Sequence, residues 1–168
     1  MRHAPGRSLV LAIGALLGCD PPPDDEDEPQ PVAVDDGDDD PPAASACADE
    51  TRDDDYALGL AKAGARMTVT FVDAMPAPPA RGDNTWRVAI TDVAGAPLSG
   101  LQLAVDPYMP DHQHGTSIAT HVDEADTPGH YVLAPVNLFM PGLWEVTIAA
   151  SGLQGGDDAV VFRFCVDP

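Results

Sequence analysis

Apolar and polar residues alternate along several short runs between residues 66 and 166, and this alternation restricts the fold more than any other feature. In the run 66–73, Met67, Val69 and Phe71 fall on one side, with Thr between them. Successive side chains of a β-strand point to opposite faces, so the pattern predicts a half-buried strand. Comparable runs follow at 85–92, 101–105, 131–133, 144–148 and 159–166.

Segments rich in Gly, Pro and Asp separate these runs, as is typical of turns. No segment has a clear helical pattern. Residues 56–65 could form one or two helical turns, but Gly59 and Gly64 weaken that prediction. About seven short strands within residues 47–168 predict an all-β domain, specifically an immunoglobulin-like antiparallel β-sandwich.

The first residues have the layout of an export signal. Basic residues come first, an apolar run from 9 to 17 follows, and the run ends in Leu16-Leu17-Gly18-Cys19. The run is too short to span a membrane, which needs roughly 20 apolar residues. The ending resembles the bacterial lipobox, so we interpret residues 1–18 as a lipoprotein signal peptide and Cys19 as the lipidated first residue. The alternative is an ordinary signal peptide with an incidental Cys.

The composition of residues 19–46 predicts a disordered linker. Residues 20–46 hold eleven acidic residues and seven prolines, and too few apolar residues to offset the entropy of ordering. The whole chain has a formal net charge of −20 and no basic patch. Binding to nucleic acid is therefore not expected, and attraction to anionic lipid is not expected either. We expect the lipid to anchor the domain to a bacterial membrane, within the cell envelope and outside the cytoplasm.

If Cys19 carries lipid, Cys47 and Cys165 remain, one near each end of the predicted domain. An exported protein meets oxidising conditions, which favour a disulfide between them. Such a bridge would close a loop of roughly 120 residues and stabilise the fold by about 4–5 kcal/mol in the chain-entropy model. Two free thiols are the alternative.

Four of the five His residues lie between 112 and 130, and the densest group is His112 and His114. In extended backbone, residues two apart point to one face, so both imidazoles could reach one metal ion. Imidazole suits Cu(II), Zn(II) and Ni(II), and the thioether of Met suits Cu(I). Met109 and Met140 each open a loop, and if those loops meet at one end of the sandwich, Met109, His112, His114 and Met140 can form a copper site. His121 and His130 are weaker candidates.

The region from Trp86 to Ile148 resembles the YtkA-like family of bacterial envelope proteins. The resemblance rests on the runs 82–86, 92–97, 109–115, 128–131 and 139–146, above all on Met109-Pro-Asp-His-Gln-His-Gly115 and Met140-Pro-Gly-Leu-Trp144. It implies an immunoglobulin-like sandwich and an association with copper and respiratory-oxidase functions. Gln113 departs from the family pattern, which often has Gly there.

Two functional hypotheses follow. In the first, the domain binds or passes on copper through the Met/His loop. In the second, Met109 and Met140 fill gaps in the core, the His residues are solvated, and the domain is a structural module or binds another envelope protein. The chain lacks the common hydrolase, metalloprotease, P-loop and dinucleotide-binding motifs. We therefore expect neither an enzyme nor a nucleotide-binding protein.

Overall fold

A computed structural model of the protein describes residues 45–168, which fold entirely from β-strands and turns. The nine strands, in chain order, are β1 (Ala61–Ala63), β2 (Met67–Met75), β3 (Gly82–Asp92), β4 (Gln102–Met109), β5 (His114–Gly115), β6 (His121–Glu124), β7 (His130–Leu138), β8 (Gly142–Ser151) and β9 (Asp158–Val166). The first sheet has the order β1-β2-β3-β7-β6 and the second the order β5-β4-β8-β9. Every pairing is antiparallel, which confirms the predicted all-β sandwich.

The predicted inward faces form the core between the two sheets. Buried positions alternate along the long strands, as the sequence pattern requires. Phe71 of β2 lies at the centre of an aromatic cluster, with its ring centre 5.0 Å from that of Trp86 and 4.9 Å from that of Phe162. Phe162 belongs to the second sheet, so these edge-to-face contacts hold the two sheets together.

Three short strands, β1, β5 and β6, lie outside the six alternating runs named from the sequence. The domain therefore has nine strands, where about seven were expected. In β1, Ala61–Ala63 pairs with β2, whereas the sequence of residues 56–65 allowed one or two helical turns. The strands β5 and β6 are two and four residues long, and each lies at the edge of its sheet. None of these three short strands has a buried side chain, so their sequences carry no alternating apolar pattern.

The predicted disulfide between Cys47 and Cys165 is present. The two Cα atoms are 5.6 Å apart, a normal separation for a bridged pair. Cys165 lies on β9, the edge strand of the second sheet, so the bridge fastens the chain that precedes β1 to this edge. Two further contacts hold the same segment: Asp54 N–H donates to the carbonyl of Arg163, and Arg163 N–H donates to the Asp54 carboxylate, both at 2.8 Å.

The predicted leader, Cys19 and almost all of the predicted linker lie outside residues 45–168, so these expectations stay predictions. Within residues 45–168, no helix has the length and apolar character needed to cross a membrane.

Strand register determines which loops meet at one end of the sandwich. Val166 pairs with Gly142, and Gly82 pairs with Leu138. In the second sheet, Tyr108 pairs with Glu145, close to the start of β8. The end of β4, the loop between β7 and β8, the end of β9 and the disulfide therefore share one end of the domain, which we call the His end because His112 and His114 lie there.

The bridge should contribute substantially to stability. We expect Cys47→Ser to lower the free energy of unfolding by up to about 4 kcal/mol, because the disulfide closes a loop of 118 residues. The thermal midpoint, measured by circular dichroism without reductant, should fall by on the order of 10 °C.

Cys165→Ser and the double variant serve as matched controls for this experiment. All three variants should lose the same stability, because each removes the same bond. Additive losses in the double variant would show that the two residues act independently, and an unchanged midpoint would show that the bridge does not stabilise the fold.

Candidate functional site

A tight turn at 110–113 joins β4 to β5 and carries His112. Met109 and His114 are directly paired at its base. The Gln113 N–H closes the turn by donating to the Met109 carbonyl oxygen at 2.8 Å. Gln113 has a φ of 55°, in the left-handed region that favours Gly. The Gly that the family resemblance implies at this position therefore has a backbone reason, and Gln113 adopts the same conformation in its place.

The turn brings the two predicted imidazoles together. The ring centres of His112 and His114 are 5.8 Å apart, and the rings are inclined by 57°. His112 is exposed and His114 is half-buried. The Nδ1 of His114 lies 3.3 Å from the carbonyl oxygen of Gly115. A hydrogen bond to this carbonyl oxygen requires the tautomer with the proton on Nδ1, in which Nε2 keeps its lone pair for a ligand.

Aromatic contacts connect His114 to the core. Its ring stacks on Phe139, with ring centres 5.8 Å apart and an inclination of 28°. Phe139 in turn meets the edge of Trp144, whose indole N–H donates to the carbonyl oxygen of Met140 at 2.9 Å. Trp144 is fully buried. The position of His114 is therefore fixed through the start of β8, whereas His112 projects from the turn.

The two predicted thioether ligands, Met109 and Met140, differ in how deeply they are buried. Met109 is 0% exposed and belongs to the hydrophobic core. Its methyl group packs against Gly142, where an added Cβ would lie only 3.0 Å from it. Met140 is partly buried and packs against the same core. The alternation of side chains along β4 turns Met109 inward. In the described conformation, the two imidazoles are therefore accessible to solvent and the Met109 sulfur is not.

The two weaker His candidates lie elsewhere. His121 is exposed on the edge strand β6, where it pairs with Asp123 at 3.2 Å. His130 begins β7, whose other terminus, Leu138, is at the His end, roughly 25 Å away by the rise of a strand. Among residues 45–168, no group of three or more His, Cys, Asp and Glu side chains is arranged to hold a metal ion.

A charged contact that the sequence reasoning missed holds the His-bearing turn from outside. The Arg52 guanidinium donates from Nη1 and Nη2 to both carboxylate oxygens of Asp111, at 2.8 and 2.6 Å. It also donates to both carboxylate oxygens of Glu50, at 2.9 and 2.7 Å. Asp111 immediately precedes His112. One signal was available in the sequence, since Arg52 is the single basic residue among residues 20–55.

These hydrogen bonds keep the three groups charged. Hydrogen bonds from Arg52 lower the pKa of Glu50 to about 2. They are also the largest cause of the lowered pKa of Asp111, to which the positive charges of Arg52 and His112 add. Hydrogen bonds to Asp111 and then Glu50 raise the pKa of Arg52. Asp111 therefore keeps its negative charge to a lower pH than an unpaired Asp would.

A shallow cleft of about 270 Å³ lies beside the His end. Two of its lining side chains are apolar and strongly exposed, Ile118 at 44% and Phe139 at 43%. Its polar wall is fixed, because the Thr116 hydroxyl donates to the side-chain oxygen of Asn137, whose amide donates to Asp83. Phe139 thus contacts His114 and also lines this cleft.

Comparison with known proteins agrees with the motif-based resemblance. No curated protein and no solved structure matches the chain. The model of the YtkA-like family matches residues 63–149, from the end of β1 to near the end of β8, and this range includes the His-bearing turn. The match covers just over half of the chain, and this protein therefore belongs to the YtkA-like family.

Proposed function

We propose that this YtkA-like protein is a non-enzymatic, lipid-anchored protein of the bacterial cell envelope that binds copper through His112 and His114. The observation that carries the proposal is the pair of neighbouring imidazoles on one accessible turn, 5.8 Å apart between ring centres. A metal about 2 Å from one nitrogen of each ring would hold the ring centres roughly 4–6 Å apart. The observed separation falls within this range.

The donor set fits copper better than a hard cation. Both side chains are imidazoles, which suit copper, and the thioether of Met140, which follows the Phe139 that stacks on His114, would favour the Cu(I) state if it joined the site. Calcium and magnesium require oxygen ligands, and the nearest carboxylate, Asp111, is engaged by Arg52. Met109 would have to leave the core before it could bind a metal, so we assign it a packing role in the described conformation.

Two protein ligands leave the remaining coordination positions to water, to Met140 or to a partner protein. A closed structural site surrounds its metal with protein ligands, whereas a site with open positions can exchange ligands. This arrangement supports a protein that acquires copper and transfers it to another envelope protein. The proposed copper would supply no catalysis here; the chain's own residues would orient and release it.

The metal-binding role can be tested with the two His residues. We expect the His112→Ala/His114→Ala variant to bind Cu(I) and Cu(II) at least tenfold more weakly than the unchanged protein. Removal of a residue that only hydrogen-bonds to a metal ligand typically lowers metal affinity about 10–100-fold, and removal of the ligands themselves should lower it at least as much. Affinity would be measured by competition with chelators of known affinity.

His121→Ala is the matched control, because it removes an exposed His from a different strand. This control should bind copper as the unchanged protein does. Equal affinities for the double variant, the control and the unchanged protein would contradict the proposal.

The lipid anchor is a separate part of the proposal and rests on the sequence around Cys19. In bacteria grown with a radioactive fatty acid, the unchanged protein should be labelled and should sediment with membranes. Cys19→Ala should lose the label, because the thiol that accepts the lipid is gone. Persistent labelling of this variant would show that the anchor lies elsewhere or that the leader has another role.

A second candidate function is docking to a partner protein without any metal. The exposed side chains of Ile118 and Phe139, which line one cleft, favour this alternative. Ile118→Ser should then weaken capture of the partner, while copper affinity stays unchanged. The two functions are compatible if the partner receives the metal.

A further inference from the structure

The segment before β1 reaches the His-bearing turn and is held on both sides of Arg52. We call residues 45–56 the arm. The disulfide at Cys47 fastens the arm five residues before Arg52. Two residues after Arg52, Asp54 exchanges hydrogen bonds with the backbone of Arg163 and forms an ion pair with Lys62. The arm therefore presents its single cation to the turn from a fixed place.

Within the turn, Asp111 is the acidic group next to the proposed ligands. It directly precedes His112, and its side chain is 51% exposed. The Arg52 guanidinium occupies both of its carboxylate oxygens in a two-pronged pair. Each oxygen engaged in this way is held in place and shares its negative charge with the guanidinium, so it is a weaker metal ligand than the oxygen of an unpaired carboxylate.

We propose that Arg52 determines which metal ions the His112/His114 site prefers, by keeping the Asp111 carboxylate engaged and by placing a positive charge beside the site. This inference rests on the proposed function. With Asp111 engaged, the donors of the site are the two imidazoles and, once it turns out of the core, the thioether of Met140, which suits Cu(I). With Asp111 released, the site gains an oxygen donor, which suits Cu(II) and Zn(II).

The positive charge of Arg52 also favours Cu(I) over divalent ions. The repulsion between Arg52 and a bound ion scales with the charge of the ion, so a divalent ion is disfavoured twice as strongly as Cu(I). For a separation of about 8 Å in water, the repulsion of a divalent ion corresponds to roughly a fivefold loss of affinity. The corresponding loss for a monovalent ion is about twofold. Arg52 thus offsets part of the attraction that the neighbouring carboxylates exert on a divalent ion at an open site.

The test compares Arg52→Ala with the unchanged full-length protein, using Cu(I), Cu(II) and Zn(II) salts as probes. Compared with the unchanged protein, Arg52→Ala should bind Cu(II) and Zn(II) at least about fivefold more tightly. Its affinity for Cu(I) should rise by no more than about twofold. The electron paramagnetic resonance spectrum of bound Cu(II) should also change, because an oxygen ligand joins the site. Adding Asp111→Asn to Arg52→Ala should remove both the spectral change and most of the gain.

Two further variants make the result specific. Arg87→Ala removes the same charge from an exposed position on β3 and should leave the metal preference unchanged. Arg52→Lys keeps the charge but cannot form the two-pronged pair, so its preference should fall between those of Arg52→Ala and the unchanged protein.

The outcomes separate this inference from the proposed function. An unchanged ratio of Cu(II) to Cu(I) affinity in Arg52→Ala would overturn the role of Arg52, while loss of binding in the His112→Ala/His114→Ala variant would still support the copper site. If that double variant binds all three metals normally, both the site and the role of Arg52 are overturned.

Discussion

Alternate apolar side chains of the two sheets are buried against one another, and this packing fixes the register of every long strand pair. A slip of one residue would turn Trp86 and Phe71 toward solvent and expose the aromatic cluster that joins the sheets. Because the register is fixed, so is the set of loops that meet at the His end. The two candidate imidazoles, His112 and His114, are thus placed by a core in which they take no part.

The same packing separates the Met and His residues of one short motif. In β4 the buried positions near the end of the strand are Pro107 and Met109, while Tyr108 faces outward. Met109 therefore belongs to the core, and the chain leaves the sheet directly after it. His112 then projects from the turn, and His114 returns at the start of β5, where Phe139 stacks against its ring. Of the three ligands that this motif predicts, Met109 packs in the core, whereas His112 and His114 remain accessible for binding.

Much of the fold follows from the sequence because its information is local. The alternation around Val69, Val88 and Val146 indicates strands and the faces that they bury. The short edge strands bury little and give no such signal. The disulfide followed from counting Cys residues in an exported chain, and the structure confirms it.

The candidate site was only partly accessible to sequence reasoning. The neighbouring imidazoles were predicted from their spacing, whereas the burial of Met109 depends on the phase of its strand at the last residue. The contact between Arg52 and Asp111 joins residues 59 positions apart, and it depends on the path of the arm along β9. Separation in sequence hides such contacts, because nothing local to either residue indicates its partner.

The proposed copper ion would bind at the His-bearing turn and not at the many carboxylates of this acidic chain. Nuclear magnetic resonance of the ¹⁵N-labelled protein with substoichiometric Cu(II) tests it directly, since the paramagnetic ion broadens the signals of nearby nuclei. The account predicts that broadening begins at residues 111–115 and at Phe139, before any other region responds. Broadening that begins among the acidic residues 20–40, or at His121 and His130, with the turn unaffected, would contradict it.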